Sequence, residues 1–200
     1  MRCLFCDKEI TKYSIKSILL YEDELCPECR RLLKVNRRTV SVDKLKVETF
    51  FDYDGIYRSL LIQYKECYDE ALKNVFIYDL KEYIAFKYLG YKILYVPSSN
   101  KKIKERGYNH LELMFESLNF KKVEGLRIKE DLIQEGKNAK ERKQMINNYI
   151  YEGSRQNKVL IVDDVLTTGS SIRGVYETIF PYANKIKCLV LASKRKRFHI

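Results

Sequence analysis

The chain has 200 residues, 46% hydrophobic and 32% charged, and its 38 Lys and Arg against 27 Asp and Glu give a net charge of +11. These proportions exclude a disordered or fibrous chain, and the length allows one well-buried core plus a small accessory module. The positive excess calls for an anionic partner: nucleic acid, a polyphosphate or a membrane surface.

Six cysteines fall at positions 3, 6, 26, 29, 67 and 188. The chain opens with charges at Arg2, Asp7 and Lys8, so no signal-peptide apolar region is expected, and no apolar run is long enough for a membrane span. The expectation is a cytoplasmic protein without membrane insertion, whose reduced thiols bind metal rather than pair as disulfides. Cys3, Cys6, Cys26 and Cys29 make C-x2-C-x19-C-x2-C, the spacing of a zinc-ribbon-like site. Two residues between paired cysteines let both sulfurs of a knuckle reach one tetrahedral ion. Four sulfurs leave no open position, so the Zn²⁺ is structural, and it supplies folding free energy to a segment too small for its own core. Cys67 and Cys188 have no such neighbours and read as core.

Residues 1–45 are read as this metal module plus a basic linker, and 46–200 as a larger domain. The linker carries Arg30, Arg31, Lys34, Arg37 and Arg38 without an acid among them. Residues 56–89 show apolar positions at mixed helical spacing, ending at Gly90. A strand over 91–96 stops at Pro97, a polar basic loop covers 98–107, and a helix covers 108–117. Weaker strand signals at 126–128 and 148–151 flank the charged stretch 137–143. An apolar strand over 158–162 ends in Asp163 and Asp164, a helix follows from Ser170 to about Phe180, and a last strand covers 186–192. Strands alternating with helices predict an α/β fold with a central, mainly parallel sheet and ligands at the strands' carboxyl ends.

The stretch Val159-Leu160-Ile161-Val162-Asp163-Asp164-Val165-Leu166-Thr167-Thr168-Gly169-Ser170-Ser171 carries the chemistry. A buried strand delivers two carboxylates, and a small hydroxyl-rich loop then opens a helix. Backbone N–H groups, hydroxyls and the helix N-terminus converge on a place that suits a phosphate. The carboxylates can accept from sugar hydroxyls or hold a divalent cation, so a phosphorylated sugar fits both halves. Gly169 and Gly174 have Walker-loop spacing, but Val175-Tyr176 replaces the Lys-Ser/Thr that such a loop needs. No G-x-G-x-x-G precedes a helix, and too little chain follows Asp164 to complete a receiver domain.

This segment resembles the phosphoribosyl-pyrophosphate (PRPP) signature of type I phosphoribosyltransferases. Arg106-Gly107-Tyr108-Asn109-His110 resembles the Arg-Gly-Phe-Asn-Gln element of the ComF family, whose usual layout joins an amino-terminal zinc module to such a domain. The resemblance implies a type I phosphoribosyltransferase-like fold and a site for PRPP with Mg²⁺. It gives Asp163 and Asp164 the ribose hydroxyls, and Thr167, Thr168, Gly169, Ser170 and Ser171 the 5-phosphate. Residues 97–106 become the pyrophosphate loop, with Lys101 and Arg106 as anion contacts. Gln134 and Arg142 fit the spacing of the family's flexible loop, which makes Arg142 a further PRPP contact, while Met145 stands where that loop has Asn. The family's role further implies DNA uptake in natural transformation, with single-stranded DNA, a ComFA-like helicase and other competence proteins as partners.

Turnover does not follow from the resemblance. Displacement of pyrophosphate from C1 of PRPP would need an acceptor and a base, and neither His110 nor His199 is assigned a catalytic role, a lone histidine near a loop being more often a surface or hydrogen-bonded residue. Two alternatives stand beside the competence reading. One is an active, amidophosphoribosyltransferase-like enzyme with an unknown acceptor; the other is a zinc-stabilised DNA-binding adaptor with a vestigial PRPP site. The basic clusters at 101–106 and 137–143 are accounted for by a polyphosphate. Arg30, Arg31, Arg37, Arg38, Lys194, Arg195, Lys196 and Arg197 remain as candidates for a nucleic-acid backbone.

Overall fold

The computed structural model describes residues 1–10, 23–129 and 148–194. Its centre is a five-stranded sheet in the order β1-β2-β7-β6-β3, formed by β1 (Arg38–Val42), β2 (Leu45–Asp52), β3 (Lys92–Tyr95), β6 (Gln156–Leu166) and β7 (Ala183–Ser193). The β2–β7, β7–β6 and β6–β3 pairs are parallel, and only β1 runs antiparallel, as the outer arm of a hairpin with β2. The expected α/β class with a mainly parallel sheet is what the chain adopts. Val159 to Val162 of β6 and Leu189 to Ala192 of β7 are fully buried, the continuous apolar signature of strands covered on both faces.

Around the sheet lie α1 (Pro27–Leu32), α2 (Gly55–Glu66), α3 (Lys81–Lys87), α4 (Asn100–Arg106), α5 (His110–Phe115) and α6 (Ser170–Ile179). Tyr57, Leu60, Leu61 and Tyr64 give α2 one buried stripe, and Ile172, Val175 and Ile179 do the same for α6. Strands β4 (Leu126–Ile128) and β5 (Tyr149–Tyr151) pair as a separate antiparallel ribbon. The segment between them, with Gln134, Arg142 and Met145, lies outside the described residues, as do Arg195, Lys196, Arg197 and His199.

Four expectations change. The basic stretch read as a linker is folded: α1 carries Arg30 and Arg31, and Arg38 opens β1, whose pairing with β2 brings residues 38–42 into the main sheet. The periodic stretch 56–89 is broken into α2, a 3-10 turn at Glu70–Asn74 and α3. The polar loop at 98–107 is largely helix. Ser99 Oγ caps it by accepting from the Lys102 N–H, and Gly107 ends it with φ +83°. Cys67, expected in the core, is exposed just beyond the end of α2, whereas Cys188 is buried as expected.

Candidate functional site

A cavity of about 520 Å³ opens at the carboxyl ends of β3 and β6. Val96, Pro97, Ser98, Ser99 and Lys102 wall one side, and Asp163, Asp164, Val165, Thr167 and Ser171 form the base. Tyr53, Leu61, Ile62, Lys65 and Tyr149 close the rest. The strand ends and the start of α6 thus place the two motif segments across one space, where an open α/β sheet receives ligands.

Alternation along β6 sends adjacent side chains to opposite faces of the sheet, so Asp163 and Asp164 do not form a matched pair. Asp164 is 5% exposed. Its Oδ2 accepts from Lys65 Nζ at 2.7 Å and from His110 Nε2 at 2.9 Å, and its carbonyl accepts from the Tyr57 hydroxyl at 3.1 Å. Burial alone would raise this carboxyl, but the His110 hydrogen bond and the Lys65 charge hold it well below the usual carboxylate range. Asp163 is half-buried and takes the Asp164 N–H on Oδ1 at 2.9 Å. Desolvation and the adjacent Asp164 charge push its carboxyl well above the ordinary value. One acid is fixed as an anion by internal partners, and the other meets the cavity without such compensation.

Not all of the expected phosphate loop faces this cavity. Thr167 and Ser171 line it, whereas Thr168 turns to a groove behind the loop, where its Oγ1 lies 2.9 Å from Ser170 Oγ. Gly169 sits at the helix entrance with φ +81°, a conformation that excludes most side chains. Of the expected anion contacts, Lys101 lies in the exposed part of α4, 3.9 Å from Glu105, and the lysine of that helix lining the cavity is Lys102. Arg106 is enclosed: its Nε donates to the Lys65 carbonyl at 2.9 Å and its Nη1 lies 3.3 Å from His110 Nδ1. It braces the wall.

Cys3, Cys6, Cys26 and Cys29 bring their four sulfurs within 4.8 Å of one another, with Cys6 Sγ and Cys26 Sγ 3.7 Å apart. Zinc–sulfur bonds of about 2.3 Å in a tetrahedron require sulfur separations of about 3.8 Å, so the donor set fits one Zn²⁺. Burial and the surrounding thiols push the Cys29 thiol up. Gln63 Nε2 of α2 donates to the Leu4 carbonyl at 3.2 Å, and Asn74 Nδ2 to Glu24 Oε1 at 3.1 Å, docking the module on the sheet domain.

The nucleic-acid candidates divide. Arg30 donates to Asp23 Oδ2 at 2.8 Å and to the Val75 carbonyl at 2.9 Å, with its guanidinium 4.7 Å from the centre of the Tyr78 ring. Arg38 is bound to Asp52 at 2.5 Å and to Ser193 Oγ at 2.8 Å. Both are taken up by the fold. Arg31, 3.7 Å from Glu28, is exposed, Arg37 stacks over the Tyr83 ring at 5.0 Å, and Lys194 follows the end of β7.

Sequence reasoning missed Lys65, Tyr53, Tyr149 and the role of His110. Lys65 comes from a helix about a hundred residues before its partner Asp164, and nothing local signals that pairing. His110 did carry a signal, since it stands inside the 106–110 element, next to the capping residue Asn109, whose Oδ1 accepts from the Leu111 N–H.

The motif-based resemblance is borne out over nearly the whole chain. It is 26% identical over 202 residues to Competence protein ComFC of Streptococcus pneumoniae (strain ATCC BAA-255 / R6), covering 88% of this chain and 91% of that protein. No family model matches the chain. Among solved structures, a hypoxanthine phosphoribosyltransferase from Staphylococcus aureus overlaps with a TM-score of 0.40 and 14% identity, over 64% of this chain and 66% of that one.

Proposed function

We propose that the cavity binds PRPP together with Mg²⁺, and that the protein serves DNA uptake in natural transformation as a ComFC-like component. The observation that carries this reading is the placement of Asp163, Thr167 and Ser171 across one cavity from Ser98, Ser99 and Lys102. Thr167 and Ser171 would take the 5-phosphate, Asp163 the ribose hydroxyls, and Lys102 the pyrophosphate. Asp163 is also the carboxylate best placed to share Mg²⁺ with the ligand. The ion would supply neutralisation of pyrophosphate charge. Outward-facing Arg31 and Arg37, with the basic carboxyl terminus from Lys194 to Arg197, would contact single-stranded DNA, in company with a ComFA-like helicase and other competence proteins.

Transfer to an acceptor is the second reading, favoured by the apolar wall of Tyr53, Leu61 and Ile62 opposite the polar base. A flat acceptor could lie there, although His110 is engaged with Asp164 and is not free to serve as its base.

The test is calorimetric titration of the zinc-loaded protein with PRPP and Mg²⁺, beside an Asp163→Asn/Asp164→Asn control. Saturable binding of one PRPP per chain, lost in the control, is the expected result. Absence of binding by the wild-type protein would sink the reading.

A further inference from the structure

The His110 side chain touches both segments thought to hold PRPP. Its Nε2 lies 2.9 Å from Asp164 Oδ2 at the end of β6, and its Nδ1 lies 3.3 Å from Arg106 Nη1 and 3.4 Å from Ser98 Oγ on the 97–106 segment. A guanidinium can only donate, so Nδ1 must be the acceptor and Nε2 must carry the proton. A doubly protonated ring would set an N–H against Arg106. The ring is 4% exposed, and Tyr64 donates to the His110 carbonyl at 2.8 Å, which fixes the start of α5 beneath the cavity.

The charged groups facing it are Asp164 from β6, Lys65 from α2 and Arg106 from α4. Lys65 shares Oδ2 of Asp164 with the imidazole, and its backbone carbonyl accepts from Arg106 Nε, closing a ring of contacts among four residues. The ring borders the cavity through His110, Lys65 and Asp164, whose polar atoms are engaged with one another. Its effect is geometric.

We propose that His110 is a positioning residue of the phosphoribosyl site, a neutral Nε2–H donor that ties Asp164 to Arg106 and so fixes the sugar-binding end of β6 against the pyrophosphate segment. The proposal rests on the PRPP reading. A ligand spanning both segments gains from their fixed separation, whereas one held by the 167–171 loop alone does not.

The test compares His110→Leu and His110→Gln with wild type, measuring affinity for PRPP with Mg²⁺ and, separately, for inorganic phosphate. Gln retains one donor and one acceptor, and Leu retains neither. The Leu variant is expected to lose about tenfold in PRPP affinity, the scale of one hydrogen bond to a charged group, with phosphate affinity unchanged. The Gln variant is expected to stay within about twofold of wild type. Equal PRPP binding by the Leu variant, a parallel loss of phosphate, or failure of Gln to restore binding overturns the proposal.

Nitrogen NMR of the wild-type imidazoles decides the matter even if the Leu variant does not fold. The chain has two histidines, so the signals are assignable with a His199 variant. An Nε2–H tautomer for His110 at neutral pH is expected, and an Nδ1–H or charged ring refutes the proposal. Failure of the wild-type protein to bind PRPP brings down the ligand reading and this one together, whereas binding that ignores His110 brings down this one alone.

Discussion

A methyl group placed on Gly169 would stand 2.5 Å from Cγ1 of Val42. The β1–β2 hairpin, far away in sequence, is pressed against the loop expected to hold the 5-phosphate. Arg173 Nη1, one turn into α6, pairs with Asp43 Oδ2 at the hairpin tip at 2.8 Å.

Gly169→Ala therefore meets two obstacles, a positive φ and a steric clash. It is expected to destabilise the protein by about 1–3 kcal/mol and to weaken phosphate binding. Adding Val42→Ala relieves the clash but leaves the backbone strain, so the double variant should recover part of the loss. Urea melts and phosphate titrations of the three variants check this, and full recovery would show that φ contributes nothing.

The metal module is expected to bind one zinc per chain. Chelation, or Cys26→Ser, removes a ligand set that the surrounding residues cannot replace. A loss of several kcal/mol would lower the melting temperature by about 10 °C in a chain of this size. Metal analysis of the purified protein and thermal melts with and without chelator measure both quantities. A metal-free protein that melts at the same temperature would remove the structural role.

Arg30 and its neighbour Arg31 should behave oppositely. Arg30→Ala strips charged hydrogen bonds from Asp23 and the Val75 carbonyl, costing about 1.5–3 kcal/mol. Arg31→Ala and Arg37→Ala should leave the melt nearly unchanged and reduce the salt dependence of single-stranded DNA binding. Anisotropy titrations with a labelled oligonucleotide at several salt concentrations separate the two classes. A DNA defect of equal size in a stably folded Arg30→Ala protein would contradict the division.

Stability should fall in acid. Burial, opposed by Asp164 and reinforced by the Lys65 and Arg106 charges, keeps the His110 pKa below its ordinary 6.5. The unfolded chain therefore takes up a proton that the folded site resists, and stability is lost as pH falls from 6.5 toward the folded value. Asp164, held below the ordinary 3.8, adds a second loss at lower pH. Asp163 works the other way, because its raised value contributes stability only while it is protonated and loses it as pH rises. His110→Gln should abolish the first loss, with a slope difference of up to about 1.4 kcal/mol per pH unit. Urea midpoints of both proteins between about pH 8 and pH 5 test the sign. Parallel curves would reject it.

The legible parts of this fold are those encoded by short-range pattern. The buried run Val159 to Val162, the hydroxyl-rich turn and the cysteine spacing each require only local geometry, and each lies where the sequence implied. The capped helix α4 was also encoded, by Ser99 and Gly107, but its run of lysines reads as loop composition. What local pattern could not yield is the partner of each charge. Arg30 and Arg38 have the same sequence character as Arg31 and Arg37, yet Asp23, Asp52 and Ser193 reach the first two only through tertiary contact. Asp163 and Asp164 likewise read as an equivalent pair until strand alternation gives Lys65 and His110 to one of them.

Helix α2 joins the two chemistries of the molecule. Gln63 holds the Leu4 carbonyl beside the cysteines, and two residues on, Lys65 holds the buried acid at the end of β6. The helix is a short rigid shaft, with a thiol-rich bearing at one side and the cavity at the other. If the cysteines hold zinc and the cavity PRPP, an oxidant that removed the ion would loosen that bearing, and the slack would be felt at the cavity as a weaker grip, although the two sites share no residue.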